Sequence, residues 1–364
     1  MSFFENKKIL LVSPEPWDHI FVSKHHYAVH LAARGNQVFF VNPPGENWSI
    51  SGTDYQGLSV VGYPGFIRGL RFLPSYMQKW FIKKAFQQME TFCQCQFDVF
   101  WSFDNSVFYD FSALPDRVTK ISHIVDLNQD FQFEIASKTA DICFCTSRYI
   151  LHKQLACNSN SYFVHHGLHD PGSSPDDVHL PGNNAIKAMY VGNLAMPFLD
   201  WQILLQAVTE NPEVDFIWVG PNKAMLELKK NPLHRYKKEI FERENVYFLD
   251  RIPSDRIPAY LISADVLLLA YQEIYHRDQV NPHKLMEYLG SGKPIVCSFS
   301  EEYESLSEIM VMSKKNKDWP VLFKKTIHNL AYWNEPDLQH QRKAYAMDHT
   351  YKRQLERIEN FLKA

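Results

Sequence analysis

The clearest indication of fold in this chain is the segment Asn281-Pro-His-Lys-Leu-Met-Glu-Tyr-Leu-Gly-Ser-Gly-Lys-Pro-Ile-Val296. Pro282 suits the first turn of a helix, and Gly290 suits a left-handed residue just after the last turn. The residues from Pro294 to Ser298 form the short apolar run of a buried parallel strand. The segment therefore predicts a loop, a helix and a strand in succession.

The start of this predicted helix has the properties of an anion-binding site. Free backbone amides and the positive end of the helix dipole favour a phosphate, and His283 and Lys284 lie in the first turn. Glu287 follows at a spacing of three and four residues, so it shares a helix face with both side chains. A carboxylate in this place can accept hydrogen bonds from two sugar hydroxyls.

This segment resembles the donor-nucleotide motif of GT-B glycosyltransferases, in particular the large retaining group 1 (family 4) class. The shared pattern is P-x-K-x-x-E-Y-x-x-x-G-K-P, which begins here at Pro282. The resemblance implies that Glu287 binds the ribose hydroxyls and that residues Asn281 to Lys284 face the diphosphate. Many members carry a second glutamate, directed at the donor sugar, where this chain has Gln279. Sugar recognition or stereochemistry is therefore expected to differ.

Length and composition limit the class of protein. A chain of 364 residues exceeds the usual size of one domain, so we expect two domains with a cleft between them. Hydrophobic residues at 45% and charged residues at 22% are typical of a soluble globular protein, and a net charge of −3 argues against nucleic acid as the main partner. The six cysteines form no C-x-x-C pair, so neither a zinc site nor a disulfide framework is predicted and a reducing cytoplasm fits best.

The order of the predicted elements is that of two α/β domains. In the first half a strand over 8–13, a helix over 22–34 and a strand over 37–42 form a βαβ unit. The second half begins a new pattern of alternating strands and helices. Its predicted strands are 185–191, 215–219, 246–249, 266–270 and 294–298. Since parallel strands covered by helices on both faces form doubly wound sheets, the fold class is α/β, with two facing Rossmann-like domains as in GT-B enzymes.

The domain boundaries follow from composition and from the resemblance. We predict an acceptor-binding Rossmann-like domain over 1–168 and a linker over 169–184, which is rich in proline, glycine and serine. A nucleotide-sugar-binding Rossmann-like domain is predicted over 185–345. The resemblance implies that a last helix, within 346–364, returns to the first domain.

Two further segments of the second half resemble donor-binding elements. Tyr190-Val-Gly-Asn193 looks like the opening strand and turn of the donor domain, so Gly192 and Asn193 are expected near the donor. Backbone around Arg251 and Ile252 is expected to contact the base, and Arg251 to neutralise phosphate charge. A plain turn glycine and a surface arginine remain the alternatives for Gly192 and Arg251.

An inverting transfer needs a group that removes the proton of the acceptor hydroxyl. Asp126 follows a predicted strand and is our candidate base, with a role as a helix or turn cap as the alternative. Family 4 enzymes often have a histidine near this strand that contacts the donor sugar, and His123 is the corresponding candidate. Its alternative is a structural histidine. Retaining relatives show no such base, so the stereochemistry remains open.

The loop after the first strand is the expected acceptor contact. Trp17 can stack on a sugar ring, and Asp18 and His19 can bond its hydroxyls. The sequence contains no H-E-x-x-H motif and no D-x-D after an apolar strand, so we expect no metal and no cofactor besides the donor substrate.

Residues 64–84 combine large apolar side chains with five cations and no acid. Such a segment is typical of contact with an anionic membrane surface, which a lipid-linked acceptor would require. The alternative is a packed helix with a solvated basic edge. The N-terminus has no apolar signal core and no stretch of eighteen apolar residues occurs, so we expect a cytoplasmic protein, peripheral on the inner face of the membrane.

The predicted function is the transfer of a sugar, a hexose, from a nucleotide diphosphate donor to a glycan or lipid-linked saccharide in bacterial surface polysaccharide synthesis. Two alternatives remain open. One is a nucleotide-sugar epimerase of related fold, which would need no acceptor. The other is a non-catalytic nucleotide- or glycan-binding scaffold, an idea to which Gln279 gives limited support.

Overall fold

The structure is a computed structural model that describes residues 2–126, 131–169, 178–221, 234–275 and 281–363. The chain divides into two compact units. The first comprises the residues up to Gly167 together with those from Tyr351 onward, and the second runs from Leu168 to Thr350. Each unit is an α/β domain with its own sheet, so the predicted fold class of two Rossmann-like domains is confirmed.

The sheet of the first unit is almost entirely parallel. Its strands in the described residues are β1 Lys8–Val12, β2 Gln37–Val41, β3 Ser49–Gly52, β4 Leu58–Gly62, β5 Val99–Ser102, β6 Thr119–Ile124, β7 Ile142–Cys145 and β8 Ser161–Phe163. Their order is β3-β4-β2-β1-β5-β6-β7-β8, with β3 antiparallel to β4. The strand order reverses at β1 and β5. The carboxyl ends of these two strands are therefore the place where a doubly wound sheet binds ligands.

The sheet of the second unit is parallel throughout its described strands. These are β9 Ile186–Val191, β10 Val214–Val219, β11 Val246–Leu249, β12 Val266–Leu269, β13 Ile295–Ser298 and β14 Val311–Ser313. The order β11-β10-β9-β12-β13-β14 reverses at β9 and β12. Strands β9, β10, β12 and β13 are nearly all buried, which is why their sequences are largely apolar, with Lys187 in β9 and Asp215 in β10 as the charged exceptions.

Helices cover both sheets. In the first unit they are α1 Ser23–Ala33, α2 Ser75–Phe92, α3 Phe133–Thr139 and α4 Arg148–Leu155. In the second unit they are α5 Trp201–Glu210, α6 His234–Phe241, α7 Ile257–Ser263, α8 Lys284–Ser291, α9 Trp319–His328, α10 Leu330–Trp333 and α11 Pro336–Asp348. Short 3₁₀ turns lie at Leu70–Phe72, Phe111–Ala113, Ser254–Arg256, Glu273–Tyr275, Glu301–Leu306 and Asn316–Asp318.

The last helix, α12 Tyr351–Lys363, belongs to the first unit and packs on α1. Tyr351, Leu355 and Ile358 recur at helical spacing and are all buried, so they form one apolar face. Glu359 accepts hydrogen bonds from the amide of Phe4 at 2.9 Å and from Arg34 at 3.1 Å. These contacts fix α12 to the start of the chain.

The segment before α12 differs from the predicted boundaries. Helix α11 continues to Asp348 within the second unit, and the chain returns to the first unit between Thr350 and Tyr351. The described end of the predicted linker is packed rather than extended. Val178 donates its amide to Ser263 Oγ at 2.8 Å, and Leu180 is buried in the core of the second unit.

Helix α8 begins and ends two residues later than the sequence predicts. The left-handed residue that ends it is Gly292, with φ of 78°, and Gly290 lies inside the helix. A Cβ atom at Gly290 would lie 3.2 Å from the side chain of Leu168, so close packing explains this glycine. Ser291 donates its hydroxyl to the carbonyl of Tyr288 at 2.6 Å and thereby supports the additional half turn.

Candidate functional site

The second unit brings two glycine turns together at the carboxyl ends of β9 and β10. Gly192 follows β9 and Gly220 follows β10. A Cβ atom at Gly220 would collide with the carbonyl of Gly192, and one at Gly192 would collide with the ammonium of Lys284. The backbone of the two glycines and the side chain of Lys284 therefore lie close together where the strand order reverses. Close packing explains the glycine at position 192, and the predicted approach of the donor to it stays a prediction.

Lys284 lies in the first turn of α8 and reaches back over these turns. Its Nζ donates to Tyr190 Oη at 2.9 Å and lies 4.5 Å from the centre of the Tyr190 ring. The ring of Tyr271, which follows β12, lies 5.7 Å from the same nitrogen. Ammonium groups bind the faces of aromatic rings. The side chain of Lys284 is therefore held by a hydrogen bond and by contacts with two rings.

Glu287 lies one turn further along α8, with its side chain 29% exposed. Burial raises the pKa of this carboxyl to about 7, and the nearby charge of Lys284 opposes that rise. His283 Nδ1 lies 3.8 Å from Glu287 Oε1. The structure therefore brings His283, Lys284 and Glu287 together as the sequence predicts, and burial makes the carboxyl of Glu287 costly to ionise.

The other predicted donor residues lie in different surroundings. Asn281 is buried and accepts a hydrogen bond from Tyr303 Oη at 2.8 Å, so its side chain supports the loop before α8. Asn193 and Arg251 are exposed, and the backbone amide of Arg251 donates to Asp250 Oδ1 at 2.8 Å. Ile252 is partly buried against the core of the second unit. Gln279 lies outside the described residues.

His123 in the first unit lies in the core. It is 1% exposed, and its ring stacks on Phe103 at 4.7 Å and on Trp101 at 5.9 Å between centroids. Burial lowers its pKa to about 3, so the ring is neutral. This environment favours the structural alternative and gives no support to a sugar contact.

Asp126 follows β6 and belongs to a charged cluster that the sequence did not predict. Lys24, in the first turn of α1, is buried and ion-paired with Glu15, which follows β1. Both charges act on Asp126 and on the buried Asp104, which follows β5. The cluster therefore lies at the carboxyl ends of β1, β5 and β6, where the strand order reverses.

Burial raises the pKa of both aspartates of this cluster, and Lys24 opposes the rise. Asp104 Oδ1 also accepts hydrogen bonds from the amide and the hydroxyl of Ser106, at 2.7 and 2.6 Å. The sequence does not indicate a role for Lys24, because a lysine near the start of a helix is ordinarily exposed. The signal that could have found the cluster is three carboxylates that each follow a central strand.

The predicted acceptor residues lie in the loop between β1 and α1. Asp18 and His19 are exposed, and His19 Nδ1 lies 2.9 Å from the carbonyl of Ile20. The ring of Trp17 packs against those of Phe21 and Phe40 at 4.9 and 5.0 Å. These contacts favour a structural role for Trp17.

Residues 64–84 present an exposed face that is both aromatic and basic. Phe72, Tyr76 and Trp80 are 79%, 71% and 55% exposed. The opposite side of α2 is buried through Ile82 and Phe86. All five cations of the segment are exposed, at Arg68, Arg71, Lys79, Lys83 and Lys84.

The described residues contain neither a metal-binding cluster nor a membrane-spanning helix. Outside residues 127–130, 170–177, 222–233 and 276–280, no group of three or more histidine, cysteine, aspartate or glutamate side chains could hold a metal ion. Within the same parts of the chain, none of the helices combines the length and apolar character that a membrane span requires.

Comparison with known proteins gives a partial sequence match. No protein-family model matches the chain. The putative teichuronic acid biosynthesis glycosyltransferase TuaH of Bacillus subtilis (strain 168) is 25% identical over 194 residues. The match covers 50% of this chain and 47% of TuaH, so the chain is aligned with about half the length of this relative.

Solved structures match over almost the whole chain. Sucrose-phosphate synthase from Thermosynechococcus elongatus has a TM-score of 0.71 at 12% identity, with 98% of each chain covered. Anabaena Alr3699/HepE, in complex with UDP and glucose, has a TM-score of 0.66 at 14% identity, with 98% of this chain and 100% of that chain covered. At these identities the solved structures show the fold. The chain therefore has the GT-B fold, and its resemblance to group 1 glycosyltransferases is confirmed.

Proposed function

We propose that this chain is a glycosyltransferase that moves a sugar, a hexose, from a nucleotide diphosphate donor to a glycan or lipid-linked saccharide. The observation that carries the proposal is the arrangement of Lys284, Glu287 and the Gly192 turn at the carboxyl ends of the second sheet. The cation of Lys284 suits the diphosphate, and the carboxylate of Glu287 suits the ribose. Because Gly192 has no Cβ atom, the diphosphate and the ribose can approach the backbone closely. The HepE complex with UDP and glucose and the partial similarity to TuaH support the donor class and a role in bacterial surface polysaccharide synthesis.

In this proposal the second unit stabilises the departing nucleoside diphosphate. Lys284 and the helix start at His283 supply positive charge where negative charge develops on the leaving group. Glu287 accepts hydrogen bonds from the ribose hydroxyls, and its raised pKa falls again when those donors replace lost water. Arg251, which is exposed, adds charge at the edge of the site.

The donor proposal is tested by thermal unfolding with UDP, GDP, ADP, TDP and CMP. A nucleotide at about 100 times its dissociation constant stabilises the native state by roughly 2.7 kcal/mol. We expect one nucleotide to stabilise the parent protein but not Glu287→Ala. Glu308→Ala, which alters an exposed carboxylate of the same unit, is the control and should behave as the parent. Stabilisation of neither protein by any nucleotide would count against the proposed donor class.

We propose Asp126 as the base for an inverting transfer. Its carboxyl follows β6, and burial moves its pKa upward toward the range in which a general base works well. Asp126→Asn is expected to lower turnover by roughly 10²–10⁴-fold, whereas Asp116→Asn, at an exposed site of the same unit, should leave turnover unchanged. If Asp126→Asn keeps most of its turnover, Asp126 is not the base.

The acceptor side of the proposal involves an anionic membrane on the inner face of the cell envelope. The exposed rings of Phe72, Tyr76 and Trp80 can enter the lipid headgroup region while the five neighbouring cations bind anionic headgroups. The chain would then work as a cytoplasmic, peripheral protein.

Vesicle flotation tests this contact directly. The parent should float with phosphatidylglycerol vesicles and not with phosphatidylcholine vesicles. Charge reversal of Lys79, Lys83 and Lys84 should abolish flotation, whereas reversal of the exposed Lys324 and Lys325 of the second unit should not. Flotation that is the same for all three proteins would remove the membrane proposal.

A further inference from the structure

Two tyrosines of the second unit form a polar pair around the ammonium of Lys284. The hydroxyls of Tyr190 and Tyr271 are hydrogen-bonded to each other, and Lys284 donates to both. Both tyrosines are buried, at 2% and 6% exposure. They lie at the end of β9 and just after β12, the two strands at which the sheet order reverses.

We infer that Tyr190 and Tyr271 are positioning residues that hold Lys284 Nζ where the donor diphosphate binds. This inference rests on the proposed function. A free lysine side chain has four flexible torsions, and ordering it costs binding energy when the ligand arrives. Here the two hydroxyls and the Tyr190 ring order the side chain before binding.

The chemistry of a phenol suits this task better than that of a carboxylate. A carboxylate beside Lys284 would neutralise the charge that a phosphate needs, whereas a neutral hydroxyl accepts a hydrogen bond and leaves the charge in place. An ammonium group has three N–H donors, and the two hydroxyls account for two of them. The third can still donate to a phosphate oxygen.

A third tyrosine nearby, Tyr288, forms hydrogen bonds with the backbone and provides a control. Tyr288 Oη accepts a hydrogen bond from the amide of Val191 at 2.9 Å and donates to the carbonyl of Leu268 at 3.3 Å. It therefore joins α8 to β9 and β12 through the backbone. Removing this hydroxyl disturbs the same region without removing a contact to Lys284.

The experiment is a double-mutant cycle on the whole protein, read by calorimetric titration with inorganic pyrophosphate, UDP and uridine. Tyr190→Phe and Tyr271→Phe are expected to weaken pyrophosphate and UDP binding about tenfold each and to leave uridine binding unchanged. In the Lys284→Ala background the same two changes should have no further effect. Tyr288→Phe should change binding of UDP and uridine by the same factor.

Three results would overturn the inference. Unchanged pyrophosphate affinity in Tyr190→Phe and Tyr271→Phe would show that Lys284 needs no positioning. An equal loss for UDP and uridine, or an equal loss with and without Lys284, would show a purely structural role. A parent protein that binds neither pyrophosphate nor any nucleoside diphosphate would contradict the proposed function as well, so the two failures are distinguishable.

Discussion

Both units place a lysine at the carboxyl edge of their sheet, at the point where the strand order reverses, but they surround it differently. In the first unit Lys24 is buried with Glu15, Asp104 and Asp126. In the second unit Lys284 lies against neutral phenols, with one carboxylate, Glu287, a turn away. The comparison shows that the fold fixes where each lysine lies. The charges of the neighbouring side chains determine whether the charge of the lysine is offset.

The consequence for each site is electrostatic. The carboxyl groups around Lys24 outnumber it, and its charge opposes the rise in the pKa of the buried aspartates, so it is less available to an anion. The phenols in contact with Lys284 carry no charge, so they do not offset its positive charge. This difference is why we propose proton transfer for the first unit and phosphate binding for the second.

The largest expected effect comes from Lys24→Met. The substitution removes the positive charge beside Glu15, Asp104 and Asp126. Breaking a buried ion pair in this way lowers the free energy of unfolding by roughly 3–5 kcal/mol. Loss of the cation raises the pKa of the aspartates further above their unfolded values. The destabilisation is therefore full at pH 8 and relieved as the pH falls and the carboxyls protonate. Urea unfolding at pH 8 and pH 5, with hydrogen exchange read at β5 and β6, measures it.

Lys24→Arg keeps the charge and is the control, which we expect to retain most of the stability. A loss in Lys24→Met that is equal at both pH values would mean that Lys24 acts through packing, and the comparison with Lys284 would fail.

The next effect concerns His123. Its pKa is lowered to about 3 by burial, so the unfolded state binds a proton below pH 6.5 that the folded state does not. The first unit should therefore lose stability as the pH falls from 6.5, by roughly 3 kcal/mol for this group near pH 4. His123→Phe should make unfolding less dependent on pH, whereas His19→Gln, at an exposed site, should not. An unchanged pH dependence in His123→Phe would contradict the neutral core histidine.

A smaller effect, a gain in stability at high pH, is expected for Glu287→Gln. The folded pKa of about 7 is above the ordinary value of 4.5, so ionised Glu287 destabilises the folded protein above pH 7. The variant should gain about 1 kcal/mol at pH 8, because the side chain is partly exposed, and the gain should vanish as the pH falls to 4.5. Thermal unfolding across this range, with binding of UDP measured in parallel, tests the trade between stability and function. A variant that is less stable at pH 8 would show that the carboxylate is needed for the fold.

The smallest expected effect is that of Lys284→Met on stability. The two phenols remain hydrogen-bonded to each other, so the loss should be under about 1 kcal/mol, while pyrophosphate binding disappears. Measured beside Lys24→Met in the same urea series, it gives the most direct test of the comparison. Equal losses for the two lysines would show that their surroundings do not distinguish them.

Much of the fold could be predicted from the order of apolar runs. Strands β10, β12 and β13 are buried throughout and β9 over its last four residues, so each appears as an apolar segment, which Lys187 interrupts in β9 and Asp215 in β10. The edge strands β3 and β14 escaped prediction because they are short and more exposed. The end of α8 was placed at Gly290 because the sequence offers two glycines, and only packing against Leu168 distinguishes them.

The sites divide in the same way. Glu287, Lys284 and His283 share one helix turn, and helical geometry brings them together wherever the helix lies. That local part follows from the sequence alone. The partners of Lys284 come from β9 and the end of β12, and those of Lys24 come from segments after β1, β5 and β6. These residues are far apart in the chain, so only the parallel pairing of the strands decides which charge is neutralised and which is left to bind a ligand.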